Sequence, residues 1–501
     1  MGLFGKVARG GAALAFGAGM GKLLSLVRNI IIARLLSPED FGIAAIFILT
    51  LTFLQSVSEV AADKLLIQAK DGDDQQLQKS AHFFQIGRGL FGAAALFLLA
   101  GPVARLFGAP ETEWAFRALA VVPLMRGFMH LDMRRVQRGL RYKPFIVVDL
   151  VSQAAAVVAA APLAWWLGDY RAALWVLVVQ SVVYCAATHA LAERPYGAAF
   201  DAAAMKRLFV FGWPLMINGL LMFVVSQGDR LVIGAEASPY SLADLGVYAV
   251  AATLVMAPRQ MLTRVATSLA LPVLSKAQDD RSLFARRYRV CVEAATVVGA
   301  VVGVLMVVGG TELVVLLFGA KYAGVSIFIG WLAAKQTIRI IRTMPAIAGL
   351  AYADSAQLML TTLARAITLV LLIAVAAAEL SLAWIAAAGF AGELIALFAA
   401  VWLMARRHGL SPMATLGPTF IGCLTMGAAG AAVWAGALPG EGPASLVLGA
   451  AVSGLSGVAL VGAFGSLREL AVKQVSRARK RRGTGVGRPI GVGAGPKDET
   501  A

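Results

Sequence analysis

The chain has 501 residues, 59% of them hydrophobic and 15% charged, with a net charge of +17 and a mean hydropathy of +0.77. A soluble domain carries about 25% charged and about 45–50% apolar residues, so this composition excludes a water-soluble enzyme and points to an integral membrane protein. The surplus of Lys and Arg lies in short segments between apolar runs and in the tail, which is a membrane-topology pattern and not a nucleic-acid-binding one.

A spanning helix needs about 20 mostly apolar residues. Cutting the chain at polar or Gly/Pro breaks predicts spans at 11–33, 42–62, 82–104, 114–133, 146–167 and 172–192. After a polar stretch from Glu193 to Arg207 they resume at 209–233, 246–271, 288–308, 325–346, 355–377 and 381–404, and a last pair covers 414–436 and 445–466. The expected architecture is therefore all-α with about 14 transmembrane helices. It divides into a six-helix N-terminal part (1–205), a six-helix C-terminal part (206–408), a helix pair (409–466) and a basic, Gly-rich tail (467–501) expected to be disordered and cytoplasmic.

Alternate loops carry the positive charge: Arg134, Arg135, Arg138, Arg141 and Lys143; Lys276, Arg281, Arg286, Arg287 and Arg289; Arg406 and Arg407; and the tail run from Arg477 to Arg482. The opposite loops are short and lean acidic, with Glu111, Glu113, Asp169, Glu236, Asp244 and Glu441. The positive-inside bias places both termini in the cytoplasm.

The two six-helix parts repeat short strings in corresponding places. Arg28-Asn29-Ile30 leads to Ser37-Pro38 and Phe41-Gly42, as Arg230-Leu231-Val232 leads to Ser238-Pro239 and Leu245-Gly246. Gly139-Leu140-Arg141-Tyr142 and Gly349-Leu350-Ala351-Tyr352 follow the fourth and tenth spans. Six helices separate the copies, so both enter the membrane in the same sense, as parallel repeats do.

RNIIIARLLSPEDFGIAAI at 28–46, GDRLVIGAEASPYSLADLGVYAVAATLVMAPRQ at 228–260 and LPVLSKAQDD at 271–280 resemble the polysaccharide transporter family of the multidrug/oligosaccharidyl-lipid/polysaccharide exporter superfamily. The resemblance implies a two-lobed, V-shaped bundle. It also implies a flippase that moves undecaprenyl-diphosphate-linked repeat units across the bacterial inner membrane for exopolysaccharide, capsule or O-antigen assembly, with a polysaccharide polymerase and export machinery as partners. Multidrug antiporters of the same superfamily have twelve helices, so a count of fourteen argues for a lipid-linked substrate.

An Arg, Lys or Asp at the centre of a spanning helix costs about 2.5–3.5 kcal/mol on insertion scales, so those retained usually face a cavity or a partner. The sequence places Arg28, Arg126, Arg230, Arg259, Lys335 and Arg339 as candidate substrate-binding cations, because guanidiniums hold a diphosphate through bidentate, charge-assisted hydrogen bonds. Glu59, Asp63 and Asp229 are the candidate ion-coupling acids. Glu59 and Asp63 stand four apart, as do Lys335 and Arg339, with Arg342 three beyond, so each set shares a helical face.

No cofactor, metal or nucleic-acid site is expected. Cys185, Cys291 and Cys423 lack a CxxC partner, and His82, His130, His189 and His408 read as isolated packing or interfacial residues. The main competing class is a membrane enzyme, a polyprenyl-linked glycosyltransferase or polymerase, for which Asp71-Gly72-Asp73-Asp74 offers a DxD spacing; a solvated acidic turn explains it better. The topology is open to direct test. Single cysteines at positions 278 and 407 should be shielded from an impermeant thiol reagent in whole cells and one at 241 should react; labelling at 407 would reverse the orientation.

Overall fold

The computed structural model describes residues 3–58, 61–440 and 442–469, and within them it is helical with no strand. Glu59, Glu441 and the tail run Arg477 to Arg482 lie outside the described residues. The first half comprises α1 (Leu3–Leu35), α2 (Pro38–Ser58), α3 (Ala61–Gln68), α4 (Gln75–Leu98), α5 (Ala100–Leu106), α6 (Glu113–Leu119), α7 (Val121–Gly127), α8 (Asp132–Arg138), α9 (Lys143–Leu167) and α10 (Arg171–Ala190). The second comprises α11 (Ala202–Gly234), α12 (Leu242–Ser275), α13 (Arg281–Phe318), α14 (Ile329–Ala351), α15 (Ser355–Ala377) and α16 (Leu382–His408), followed by α17 (Met413–Trp434) and α18 (Pro443–Ala463).

Polar residues set the boundaries. Asp74, Asp201 and Asp280 accept the first free N–H groups of α4, α11 and α13, Ser241 and Asp244 form a capping box on α12, and Gly168 and Gly409, at φ 70° and 63°, close α9 and α16. Because lipid offers no hydrogen-bond partner, the spans must satisfy their backbone internally, and helices do so. Exposed Trp165, Trp166 and Trp434, at helix ends, suit a membrane–water interface.

Among the described residues, 12 helices are long and apolar enough to cross a membrane, and a bent pair brings the number to 13. In that pair a 3-10 turn, Ala320–Ile327, meets α14 at 66°. The fourth expected span, 114–133, is instead two consecutive seven-residue helices, α6 and α7, broken at Ala120. Pro123 is the physical cause: it has no N–H for the carbonyl of Leu119, and its ring crowds that turn. The four longest helices, α1, α11, α12 and α13, have 33 to 38 residues, or roughly 50–57 Å at 1.5 Å per residue, so they project beyond a hydrocarbon core of about 30 Å.

Packing follows the sequence repeat. α1 lies on α9 as α11 lies on α15, α9 on α10 as α15 on α16, and α2 meets its counterpart α12. At that meeting the repeat-related glycines come together. A Cβ on Gly42 would stand 1.9 Å from the carbonyl oxygen of Leu242, and one on Gly246 would stand 1.9 Å from that of Pro38, so no other residue lets the backbones approach this closely.

The same end, opposite the arginine-rich loops, is tied by reciprocal capping. Arg34, in the last turn of α1, donates to the carbonyls of Leu316 and Leu317 that end α13, while Lys321 donates to the carbonyls of Arg34 and Leu36 and the Tyr322 hydroxyl donates to that of Ala33. The largest buried apolar cluster also lies here and draws on both halves, with Phe41, Phe47 and Phe116 beside Tyr248, Phe318 and Tyr322. Toward the arginine-rich end the core divides. Leu65, Leu66, Leu77 and Met129 pack in one cluster, and Leu274, Phe284, Tyr288 and Met344 pack in another. There Glu193 is held below the ordinary carboxylate range by hydrogen bonds from Arg141 and Arg135, which staple the end of α10 to the loop before α9. The close approach of α2 and α12 is testable with a matched pair of substitutions. Gly42→Ala should cost about 1–3 kcal/mol through overpacking, whereas Gly87→Ala, which meets nothing within 4 Å, should be neutral or stabilising. Thermal unfolding of the purified protein compares the two, and equal melting temperatures would mean the helices part freely.

Candidate functional site

The basic residues of the second half converge on two carboxylates. Lys335, Arg339 and Arg342 recur every three or four residues along α14, so one helical face carries all three. Lys335 Nζ lies 2.9 Å from Asp229 Oδ2 on α11, with both side chains buried, and the Tyr248 hydroxyl donates to the same oxygen at 2.7 Å. The backbone N–H of Arg230 donates to Asp229 Oδ1 at 3.0 Å. Gly389 on α16 makes room for the lysine, since a Cβ there would lie 2.8 Å from Nζ.

Glu393 on α16 is ringed by three guanidiniums. Arg342 Nε donates to Oε2 at 3.0 Å, and Arg365 Nε and Arg339 Nε stand 2.7 and 3.5 Å from Oε1 in ion-pair range but too oblique for a hydrogen bond. Arg259, on α12, adds a further cation near this group, and its Nε meets no acceptor among the described residues. Arg230, Arg259, Lys335, Arg339, Arg342 and Arg365 thus face two acids, Asp229 and Glu393, and the region keeps a net positive charge.

Arg28 sits in α1 and is 7% exposed. It donates to Gln180 Oε1 at 2.7 Å, to Asn29 Oδ1 and to Ser25 Oγ, and among the described residues no carboxylate lies within 4 Å of it. The sequence repeat pairs Arg28 with Arg230, and the structure puts both on the wall of one cleft with Asn29, Phe41, Leu177 and Thr253. A second cavity, of about 250 Å³, is walled by Arg88, Arg126 and Arg134 with Gln55, Gln180 and Tyr184. Gln180 lines this cavity and also holds Arg28.

The structure therefore brings Lys335, Arg339, Asp229, Arg230 and Arg259 into one region, joins Arg28 to it through the shared cleft, and leaves Arg126 in the neighbouring cavity. Two of the candidate ion-coupling acids stand in ion pairs. Asp63 takes Arg134 at 2.6 Å, and Asp229 takes Lys335. Glu59 lies outside the described residues. Sequence reasoning gave no role to Gln180, Tyr248 or the Arg365–Glu393 pair. A lone glutamine inside the apolar run LWVLVVQSVVYC was the one available signal for Gln180.

Other residues of chemical appearance serve the fold. In the acidic turn, Asp71 pairs with Arg207, Asp73 faces Arg194 and Arg135, and Asp74 caps α4. Three histidines expected to be isolated are grouped, because the chain after α10 folds back over the start of α4: His82 and His130 rings are 4.9 Å apart, and His130 and His189 rings 5.4 Å. Their nitrogens are occupied by backbone. His82 Nδ1 bonds the Gly197 carbonyl while Nε2 accepts from Leu131 N–H, and His130 Nε2 bonds the Arg194 carbonyl while Nδ1 accepts from Asp132 N–H. The described residues contain no metal-binding group. For the buried pair in the second half, Lys335→Met should cost about 3–5 kcal/mol by leaving Asp229 unpaired, and Asp229→Asn in the same chain should recover most of it. Thermal unfolding and folded yield of the two single and one double variant measure this, and additive losses would show that the two side chains do not interact.

With this geometry in view, likenesses to known proteins become informative. A family model described as polysaccharide biosynthesis protein matches residues 31–327, more than half of the chain. The succinoglycan biosynthesis transport protein ExoT of Rhizobium meliloti (strain 1021) is 23% identical over 316 residues, which is 63% of this chain and 63% of that relative's length. Among solved structures, the lipid II flippase MurJ in an inward closed conformation superposes with a TM-score of 0.71 at 13% identity, covering 92% of this chain and all of that one. An inward-facing multidrug resistance MATE transporter of the MOP superfamily gives 0.63 at 13% identity, covering 78% of this chain and 95% of its own. Likenesses at that identity concern the fold, and the family model concerns the chain itself. This multi-pass helical membrane protein has the MurJ and MATE transporter fold, and it belongs to the polysaccharide biosynthesis protein family.

Proposed function

We propose that the protein is a flippase that carries undecaprenyl-diphosphate-linked oligosaccharide units from the inner to the outer leaflet of the bacterial cytoplasmic membrane. The observation that carries this reading is the surplus of cations around the cleft shared by Arg28 and Arg230, with Asp229 and Glu393 as the acids that balance them among the described residues. A diphosphate brings the missing negative charge, and guanidiniums can hold it through charge-assisted hydrogen bonds where lipid cannot. The names of two relatives, a succinoglycan biosynthesis transport protein and a lipid II flippase, support the same class of cargo.

Alternating access suits the packing. One shared core and reciprocal caps hold the halves together at one end, and two separate cores lie at the other. In this reading residues 1–205 and 206–408 move as two bodies about the α2–α12 contact, α17 and α18 ride on α13, and the arginine-rich end faces the cytoplasm together with both termini.

Arg28 is the residue to test, since among the described residues no carboxylate pairs with it. Arg28→Ala should lower movement of the lipid-linked substrate by an order of magnitude or more with little loss of folded protein, and Arg28→Lys should keep part of the activity because charge survives without the fork. Transport and detergent stability are measured on the same variants, beside the lipid-linked glycan that accumulates when the gene is deleted. Wild-type transport by Arg28→Ala would take the residue off the substrate path.

A further inference from the structure

Apart from Glu39, Asp40 and Asp244 at helix starts, the acids of the described membrane helices sort into two kinds. Asp63, Asp229, Glu293 and Glu393 each have a basic side chain within 4 Å, and Glu312, near the end of α13, accepts the N–H of Gly442. Asp149 has neither. It lies about two turns into α9, and among the described residues its carboxylate makes no ion pair within 4 Å and no hydrogen bond.

The surroundings are built for it. Asp149 lines an open cavity of about 510 Å³ with Lys22 of α1, Gln153 of α9 and Arg264 of α12. α1 presents Gly21 at the point of closest approach, where a Cβ would come within 2.6 Å of Asp149 Oδ2. The remaining titratable or charged neighbours are Tyr184 on α10, and Arg134 on α8, which is already engaged with Asp63 and lies over the ring of Phe145. Arg28 stands further along α1, beyond Lys22.

The two cations that share the cavity come from opposite halves of the sequence, Lys22 from the first and Arg264 from the second. An ionised Asp149 attracts both and draws α1 and α9 toward α12. A protonated Asp149 leaves two like charges facing each other without a counterion, which favours separation. Because Asp63 and Asp229 are held by their partners, Asp149 is the acid best placed to change charge as the halves move.

We propose that Asp149 is the ion-coupling residue: a proton bound to its carboxylate opens the seam between α1/α9 and α12 at the arginine-rich end, and loss of that proton closes it. The proposal deepens the transport reading and depends on it only for the nature of the cargo.

The test uses the full chain in lipid nanodiscs, with Cys185, Cys291 and Cys423 replaced by serine and spin labels on cysteines at positions 151 of α9 and 269 of α12. Between pH 8 and pH 5 the wild-type distance distribution should shift to longer values. Asp149→Asn should show the long distribution at every pH, and Asp149→Glu should restore a pH-dependent shift with a displaced midpoint. A wild-type distribution that ignores pH, an Asp149→Asn protein that keeps the wild-type dependence, or a Glu variant with an unmoved midpoint would each overturn the proposal. If the Asn variant does not fold, the Glu variant alone decides. A parallel assay follows a fluorescent undecaprenyl-diphosphate disaccharide in proteoliposomes. Its failure to move in wild type, with the distance shift present, would remove the cargo assignment and leave the proton site standing.

Discussion

A charge inside a membrane must have a partner or water, and most features of this molecule follow from that constraint. The acids among the membrane helices are few and mostly consumed by neighbouring cations. Glu393 alone engages three guanidiniums. Among the described residues the cations outnumber them, so the remainder need polar surroundings, and Arg28 and Arg230 are found on the wall of one cleft. The polar interior is thus a consequence of charge imbalance written into the helices. An anionic cargo is its natural complement.

The second organising feature is the contrast between the two ends. At one, helix termini that lipid would leave unsatisfied are capped across the halves, with Arg34 on the end of α13 and Lys321 on the end of α1. Gly42 and Gly246 remove the side chains that would keep α2 and α12 apart. Removing either device exposes backbone groups or opens a gap, so this joint resists separation. At the other end the apolar side chains divide between two clusters, one of which takes in Leu208 of α11 beside Leu65 and Met129, so no single packed core spans it.

Local chemistry is also reused for structure. The acidic turn at 71–74 and the histidine group around His130 have the residue types of catalytic or metal sites, yet their polar atoms are spent on arginines, helix caps and backbone carbonyls. They pin the chain after α10 to the starts of α4 and α8. Residue type without free valence is a poor guide to chemistry.

The sequence by itself determined the class of protein, most of its helices and the family resemblance, because lipid demands long apolar runs and because loop charge and Ser-Pro turns are visible in it. It also located the intramembrane cations, and helical periodicity correctly put Lys335, Arg339 and Arg342 on one face. Partnership was not legible. That Lys335 takes Asp229 across a sequence separation of 106, that Arg28 meets Gln180 and that Asp149 has no ion pair among the described residues all depend on which helices touch. The break at Pro123 likewise replaced an expected single span with two short helices, since an apolar run reports hydrophobic length and not backbone continuity. Periodicity fixes the direction in which a side chain points along its own helix; only tertiary packing decides what stands opposite it, and in a low-dielectric interior that opposite group determines whether a charge is structural or free to act.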